Sequence, residues 1–239
     1  MKFLVVFLAL FSSMNSTNKS SYIKGDETLL HYIFRDATVK SEKPPLLILL
    51  HGVGSNEQDL FSFANKLPTK FLVVSARGPY VKGNNSYAWY DVDFSTGKPV
   101  INRVQAEKSR LVLLQFISQL KSKHNFDEKR VYVCGFSQGA IMSYSLGLTK
   151  PDKIKGIAVM SGRLLDEVKP NINRSARLKD LQVFISHGAN DNVLGIHYAK
   201  ESLAYLNELG IHPLFKEYPE GHGINAQMLS DLITWLNDK

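Results

Sequence analysis

The chain has 239 residues, 44% of them hydrophobic, which suffices to bury one core and is typical of a single domain. Its formal net charge of +7 comes from scattered lysines and arginines that do not cluster with aromatic residues, so we expect no nucleic-acid partner. The single cysteine, Cys134, excludes an intrachain disulfide and a cysteine metal cluster. We therefore expect no metal site.

The N-terminus pairs a positive charge, Lys2, with an apolar run over residues 3–11. This pattern is typical of a short signal peptide, and the run is too short to cross a bilayer. We expect a signal peptide and a polar tether over residues 1–21, export to the periplasm or the medium, and one domain over residues 22–239 without stable membrane insertion. A poor cleavage pattern leaves a cytoplasmic alternative, in which translation starts at Met14.

Two early segments predict a buried strand and the helix that follows it. The continuous apolar run 45–50 is typical of a central parallel strand and ends in His-Gly-Val-Gly at residues 51–54. The glycines let this backbone approach a ligand. Ser55 and Gln58 predict a capping box that opens a helix over residues 56–67.

The rest of the chain alternates strands with helices, which indicates a mostly parallel sheet covered on both faces. Apolar spacing predicts further strands at 29–34, 71–74 and 157–160, and helices at 103–121, 195–209 and 225–237. Two long connections, 78–102 and 163–180, are expected to shape a pocket, because long loops at a functional edge commonly do so. Trp89 and Tyr90 are the bulkiest candidates for its wall, although packing of the loop aromatics onto the core is at least as strong an alternative.

The stretch 130–139 carries the strongest chemical signal, because an apolar strand runs directly into Gly-Phe-Ser-Gln-Gly. G-x-S-x-G between a strand and a helix is a nucleophile elbow. The turn is so tight that Ser137 is strained and its neighbours two positions away must be small, as Gly135 and Gly139 are. The elbow exposes the Ser137 hydroxyl and directs the Gln138 N–H toward a developing oxyanion.

A serine hydroxyl needs a base that takes its proton and an acid that orients the base. Asp191 follows the apolar strand 181–188, and His222 lies between two glycines after the predicted strand 212–218. Taken alone, Asp191 would more often be an ordinary turn residue, because Asn-Asp-Asn at 190–192 is common in turns. The order serine, aspartate, histidine is the one that this kind of elbow requires, and His187 comes too early to be the base.

An oxyanion hole needs a second N–H donor, which usually comes from the loop after an early strand. We predict the Val53 N–H as this donor, beside the N–H of Gln138. The predicted catalytic residues are thus Ser137, Asp191 and His222.

These motifs resemble the phospholipase/carboxylesterase family of α/β-hydrolases, which includes acyl-protein thioesterases. The matching motifs keep the family's order over roughly residues 42–239: Leu-His-Gly-Val-Gly at 50–54, Trp-Tyr-Asp at 89–91, Gly-Phe-Ser-Gln-Gly at 135–139, Ser-His-Gly at 186–188 with Asp191, and Gly-His-Gly at 221–223. Val53 and Tyr90 depart from the family's usual leucine and phenylalanine. The resemblance implies that residues 22–239 form one α/β-hydrolase catalytic domain with a mostly parallel central sheet and helices on both faces.

The triad and the resemblance together predict a serine carboxylic ester hydrolase, of the carboxylesterase, thioesterase or lysophospholipase type. It would act on small acyl esters or thioesters and need no cofactor. Two alternatives stay open: a serine peptidase of the same fold, and a non-catalytic hydrolase-like binding protein, which would usually have lost a triad residue. The sequence also leaves a homodimer open.

Overall fold

The structure is a computed structural model that describes residues 29–39, 41–93, 95 and 100–239. The predicted signal peptide and tether over residues 1–21 lie outside the described residues, so their processing stays a prediction. Within the part of the chain that the structure describes, no helix combines the length and apolar character needed to cross a membrane.

A seven-stranded sheet lies at the centre of the protein. The strands are, in chain order, β1 Tyr32–Arg35, β2 Pro45–Leu50, β3 Leu72–Ala76, β4 Tyr80–Gly83, β5 Ser86–Ala88, β6 Val92–Asp93, β7 Val100–Ile101, β8 Asp127–Phe136, β9 Gly156–Met160, β10 Gln182–Gly188 and β11 Leu214–Tyr218. The central sheet has the order β1-β3-β2-β8-β9-β10-β11, and β4–β5 and β6–β7 form two separate pairs. In the central sheet every neighbouring pair of strands is parallel except β1 and β3, which are antiparallel.

Helices cover both faces of this sheet, which confirms the predicted fold class. They are α1 Gln58–Phe61, α2 Arg103–Lys123, α3 Gln138–Thr149, α4 Ile196–Glu208 and α5 Ala226–Asn237, with 3₁₀ turns at Ala64–Lys66, Asp166–Asn171 and Ala176–Asp180. Leu113, Ile141 and Leu206 place α2, α3 and α4 in one apolar core. Leu60 and Leu232 place α1 and α5 in a second core on the opposite face.

Strand β2 shows why its sequence is apolar throughout. All its residues are buried. Leu46 and Ile48 belong to one core, whereas Leu47 and Leu49 belong to the other. Successive side chains of a strand point to opposite faces, so a strand covered on both sides needs an apolar residue at every position.

The predicted capping box at Ser55 is wrong, and the helix expected over residues 56–67 is much shorter. Helix α1 spans only Gln58–Phe61 and has no side-chain cap from its N-cap residue. Ser55 instead forms a backbone bridge with Tyr87, and the buried carboxylate of Glu57 forms an ion pair at 2.5 Å with the partly exposed Arg77. These tertiary contacts override the local helix signal.

The connection predicted over residues 78–102 is partly ordered into the hairpins β4–β5 and β6–β7. The Gly54 N–H donates to the Tyr87 carbonyl at 2.8 Å, and the Tyr87 N–H donates to the Ser55 carbonyl at 2.8 Å. The first hairpin is therefore tied to the loop that follows β2. This loop is the one in which the sequence places an oxyanion donor.

Candidate active site

The strand-to-helix turn between β8 and α3 has the geometry of a nucleophile elbow. Ser137 has φ 53° and ψ −115°, a strained conformation for a residue other than glycine. A Cβ on Gly135 would lie 2.2 Å from the Gly139 backbone, and a Cβ on Gly139 would lie 2.0 Å from the Leu50 carbonyl oxygen. Both positions must therefore be glycine for the turn to close.

The structure brings together the three residues that the sequence singles out. His222 Nε2 lies 2.9 Å from Ser137 Oγ, and His222 Nδ1 lies 2.7 Å from Asp191 Oδ2. Ser137 follows β8, Asp191 follows β10 and His222 follows β11, so all three stand at the carboxyl edge of the parallel strands. Loops at this edge are where open α/β sheets build their sites.

The carboxylate of Asp191 is held firmly. Its side chain is 0% exposed, and Oδ1 accepts the Val193 N–H at 2.9 Å and the Leu194 N–H at 2.8 Å. Two backbone donors and the His222 ring thus satisfy a buried acceptor, which otherwise would be costly to desolvate. The carboxylate has a fixed direction toward the histidine.

The loop after β2 passes directly beside the serine. A Cβ on Gly52 would lie 3.5 Å from Ser137 Cβ. Neither the Val53 N–H nor the Gln138 N–H bonds an acceptor among the described residues. Gln138 is the first residue of α3, so its N–H is one of the donors that a helix leaves unpaired at its start. Both groups are available to a ligand oxygen.

The model of the phospholipase/carboxylesterase family matches residues 36–239. The chain belongs to this family. A probable carboxylesterase SOBER1-like protein of Arabidopsis thaliana is 28% identical over 209 residues, which cover 81% of this chain and 78% of that protein. Acyl-protein thioesterase 1 of Candida albicans is 27% identical over 211 residues, which cover 80% of this chain and 90% of that protein.

Solved structures agree on the fold. The carboxylesterase of Bacillus cereus superposes with a TM-score of 0.76 over 89% of this chain and 95% of its own, at 22% identity. The family model confirms the family resemblance found in the motifs, and the solved structure agrees with the α/β-hydrolase fold. The protein is a serine esterase that acts on small-molecule carboxylic esters.

In this esterase, Trp89 and Tyr90 lie in the core, which differs from the prediction that they line a pocket. They are 0% and 1% exposed. The Gln138 side chain holds their backbone, because its Oε1 accepts the Trp89 N–H and its Nε2 donates to the Tyr90 carbonyl, each at 2.7 Å. The Trp89 indole N–H donates to the His51 carbonyl at 3.0 Å. The two aromatic residues thus anchor two parts of the site, the start of α3 at Gln138 and the loop at His51.

Sequence reasoning missed the supporting role of His51. Its Nδ1 lies 2.7 Å from the Gly52 carbonyl, which can only accept, and its Nε2 accepts the Gly78 N–H at 2.9 Å. Burial lowers the pKa of His51 and favours this neutral form. The ring thus fixes the loop that carries Val53, and its place in the His-Gly-Val-Gly motif was the only sequence signal.

His187, which the sequence excludes as the base, supports the acid. Its Nε2 lies 2.6 Å from the Leu194 carbonyl and 3.3 Å from Asp191 Oδ2. Burial lowers the pKa of His187, so the ring is favoured in its neutral form. No group of three or more histidine, cysteine or acidic residues in the described part of the chain is arranged to hold a metal ion.

Proposed function

We propose that the esterase works through a Ser137–His222–Asp191 triad and a covalent acyl-enzyme, and that it accepts short acyl esters and thioesters. The observation that carries this proposal is the continuous pair of contacts, 2.9 Å from Ser137 Oγ to His222 Nε2 and 2.7 Å from His222 Nδ1 to Asp191 Oδ2. Relatives named as carboxylesterase and acyl-protein thioesterase support both kinds of substrate.

The direction of proton transfer follows from the hydrogen-bond chemistry. An ionised carboxylate can only accept, so Asp191 selects the His222 tautomer with its proton on Nδ1. Nε2 is then a free base beside the Ser137 hydroxyl. It takes that proton as Oγ attacks the acyl carbonyl, and it returns the proton to the leaving alcohol or thiol. Asp191 stabilises the imidazolium that forms between these steps.

The developing oxyanion is assigned to two backbone donors, Val53 and Gln138. Their N–H groups are unpaired among the described residues, and they flank the serine from the loop after β2 and from the start of α3. Fixed donors at such a position contribute about 3–4 kcal/mol each to the transition state. Water activated by His222 then releases the acyl group.

A fluorophosphonate probe tests the proposal against its alternatives. Wild-type protein should be labelled at Ser137 and should hydrolyse p-nitrophenyl butyrate, and Ser137→Ala should lose both properties. A non-catalytic binding protein would show neither labelling nor turnover. Labelling with turnover of peptide amides, but not of esters or thioesters, would instead support a serine peptidase.

We also propose export of the mature protein, on the basis of Lys2 and the apolar run 3–11. Fractionation of the native host followed by N-terminal sequencing tests it. A mature N-terminus between residues 13 and 21 outside the cytoplasm would support export. A cytoplasmic protein that begins at Met1 or Met14 would contradict it.

A further inference from the structure

The loop that follows β9 carries an arginine, Arg163, whose guanidinium has no hydrogen-bond or ion-pair partner among the described residues. The Arg163 Nε is buried. Buried donors are almost always paired, so such an exception needs an explanation. The other two cations around the same cavity are paired, Arg103 with Glu167 and Lys169 with Asp166, each at 2.7 Å.

This guanidinium is held in one place. It lies over the Tyr198 ring with its central carbon 5.0 Å from the ring centroid. The loop itself is tied to α4, because the Leu164 N–H donates to Ser202 Oγ at 3.1 Å and Ser202 Oγ donates to the Tyr198 carbonyl at 2.7 Å. When a guanidinium stacks on a ring, the N–H donors at its edge stay free. Two of these donors can bind the two oxygens of one carboxylate side by side.

The loop that carries Arg163 begins directly beside the catalytic serine. Met160, three residues earlier, accepts the Ser137 N–H on its carbonyl at 2.9 Å. Gly162 packs on the first turn of α3, since a Cβ there would lie 2.5 Å from Ala140 Cβ. Ser161 is strained at φ 50°, as is common where a backbone is shaped for binding.

A cavity of about 280 Å³ lies between this loop and α4. Arg163, Tyr198, Ser202 and Leu164 line one part of it. The rest is lined by the two ion pairs, by the carboxylate of Glu201, by Tyr205 and by the apolar residues Val100, Ile101 and Leu165. Its size suits a short polar group better than a long acyl chain. Among the described residues around this cavity, Arg163 is therefore the cation that no carboxylate pairs.

We propose that Arg163 forms an anion subsite, which binds a carboxylate-like oxyanion carried by the ester substrate. The inference rests on the proposed function, because the bound anion must belong to an ester that reacts at Ser137. The anion that Arg163 binds could belong to either part of the ester, the acyl part or the alcohol part. Arg163 is thus assigned a specificity role and takes no part in bond breaking.

Matched ester pairs test both sources. On the acyl side, mono-p-nitrophenyl adipate is compared with p-nitrophenyl hexanoate, which has the same chain length without the terminal carboxylate. On the alcohol side, the hexanoyl ester of 4-hydroxybenzoate is compared with the hexanoyl ester of methyl 4-hydroxybenzoate. The readout is the ratio of kcat/KM for the anionic ester to that for its neutral partner, in Arg163→Met, Arg163→Lys and wild type.

In Arg163→Met, at least one of the two ratios should fall by about tenfold or more, mainly through KM, because a hydrogen bond to a charged group contributes on that scale. The pair whose ratio falls identifies the source of the anion. Arg163→Lys should recover part of the ratio, since it keeps the charge but loses the fork. Arg103→Met is the control, because this arginine lines the same cavity and is already paired with Glu167; it should leave both ratios unchanged.

Unchanged ratios in Arg163→Met, with the neutral esters still turned over, would overturn the anion subsite and leave Arg163 as a packing residue on Tyr198. Equal loss on anionic and neutral esters would overturn it as well. Failure of wild type on all four esters would instead refute the proposed function. A second readout does not depend on turnover of an anionic ester: free adipate should inhibit hexanoate hydrolysis in wild type more strongly than in Arg163→Met.

Discussion

The two sides of Ser137 differ in how their polar groups are satisfied. On one side, Gln138, Trp89 and His51 form a closed network in which the amide, the indole and the ring are all partnered. On the other side, the loop after β9 leaves Arg163 Nε and Ser161 Oγ buried without a partner among the described residues. The hydrogen bonds of the network around Gln138 make that side rigid, whereas the loop after β9 keeps donors that a ligand can use.

The triad lies between these two sides and should show the largest effects. Replacing Ser137, His222 or Asp191 by alanine should each lower kcat for p-nitrophenyl butyrate by about a thousandfold or more, because the three groups act as a unit. Steady-state kinetics and thermal unfolding of the same samples check this. His212→Ala, at an exposed histidine, is the control and should retain activity. Near-normal turnover by His222→Ala would show that another group is the base.

On the rigid side, Trp89→Ala should destabilise the protein rather than alter its choice of acyl chain. Trp89 is 0% exposed, and loss of a buried tryptophan costs about 3–5 kcal/mol. Urea unfolding of Trp89→Ala and Trp89→Phe checks this, and the phenylalanine variant should lose less. A stable Trp89→Ala protein with a shifted acyl-length preference would show that the ring lines the substrate pocket after all.

The closed network itself can be broken at Gln138 without touching its backbone N–H. Gln138→Leu leaves the Trp89 N–H and the Tyr90 carbonyl buried and unpaired, which should lower the free energy of unfolding by about 2–4 kcal/mol. Gln138→Glu buries a carboxylate against the Tyr90 carbonyl, which can only accept, so at neutral pH its loss should be at least as large. The free energies of unfolding of both variants and wild type, measured with denaturant, test this. Equal stability of Gln138→Leu and wild type would mean that the network contributes little.

The sequence predicted those parts of the site that depend on local motifs and on chain order. Strained turns need glycines at fixed positions, and parallel strands bring their carboxyl ends to one edge, so Ser137, Asp191 and His222 could be placed together without a structure. The burial of Trp89 could not be predicted, because it depends on an amide contributed by Gln138, far away in the chain. Likewise, the helix after Ser55 is short because two later residues contact its start, Arg77 from the end of β3 and Tyr87 from the hairpin β4–β5.

The unpaired state of Arg163 was also invisible in the sequence. An arginine in a long connection is ordinarily a solvated surface charge, and nothing in residues 163–180 marks one cation as different from its neighbours. Only the three-dimensional arrangement shows that Arg103 and Lys169 have carboxylate partners and that Arg163 has none in the part of the chain that the structure describes.

The smallest expected effect concerns the two buried histidines on either side of the triad, His51 and His187. Burial lowers the pKa of both rings in the folded state, whereas in the unfolded chain they titrate near 6.5. Below about pH 6.5 the unfolded state therefore binds more protons than the folded state, and stability must fall as the pH falls. Above that pH both rings are neutral in the folded and the unfolded state, so they no longer make stability depend on pH.

Each buried histidine should contribute up to about 1.4 kcal/mol of lost stability per pH unit in that range. The measurement is the free energy of urea unfolding at pH 7.5 and at pH 5, compared between wild type and His187→Asn. Asparagine can still donate to the Leu194 carbonyl but cannot take up a proton, so the variant should lose less stability on acidification. His212→Asn, at an exposed position, controls for the general effect of removing a histidine. An identical acid dependence in wild type and His187→Asn would mean that the ring beside Asp191 binds protons as readily in the folded enzyme as in the unfolded chain, and that burial does not lower its pKa.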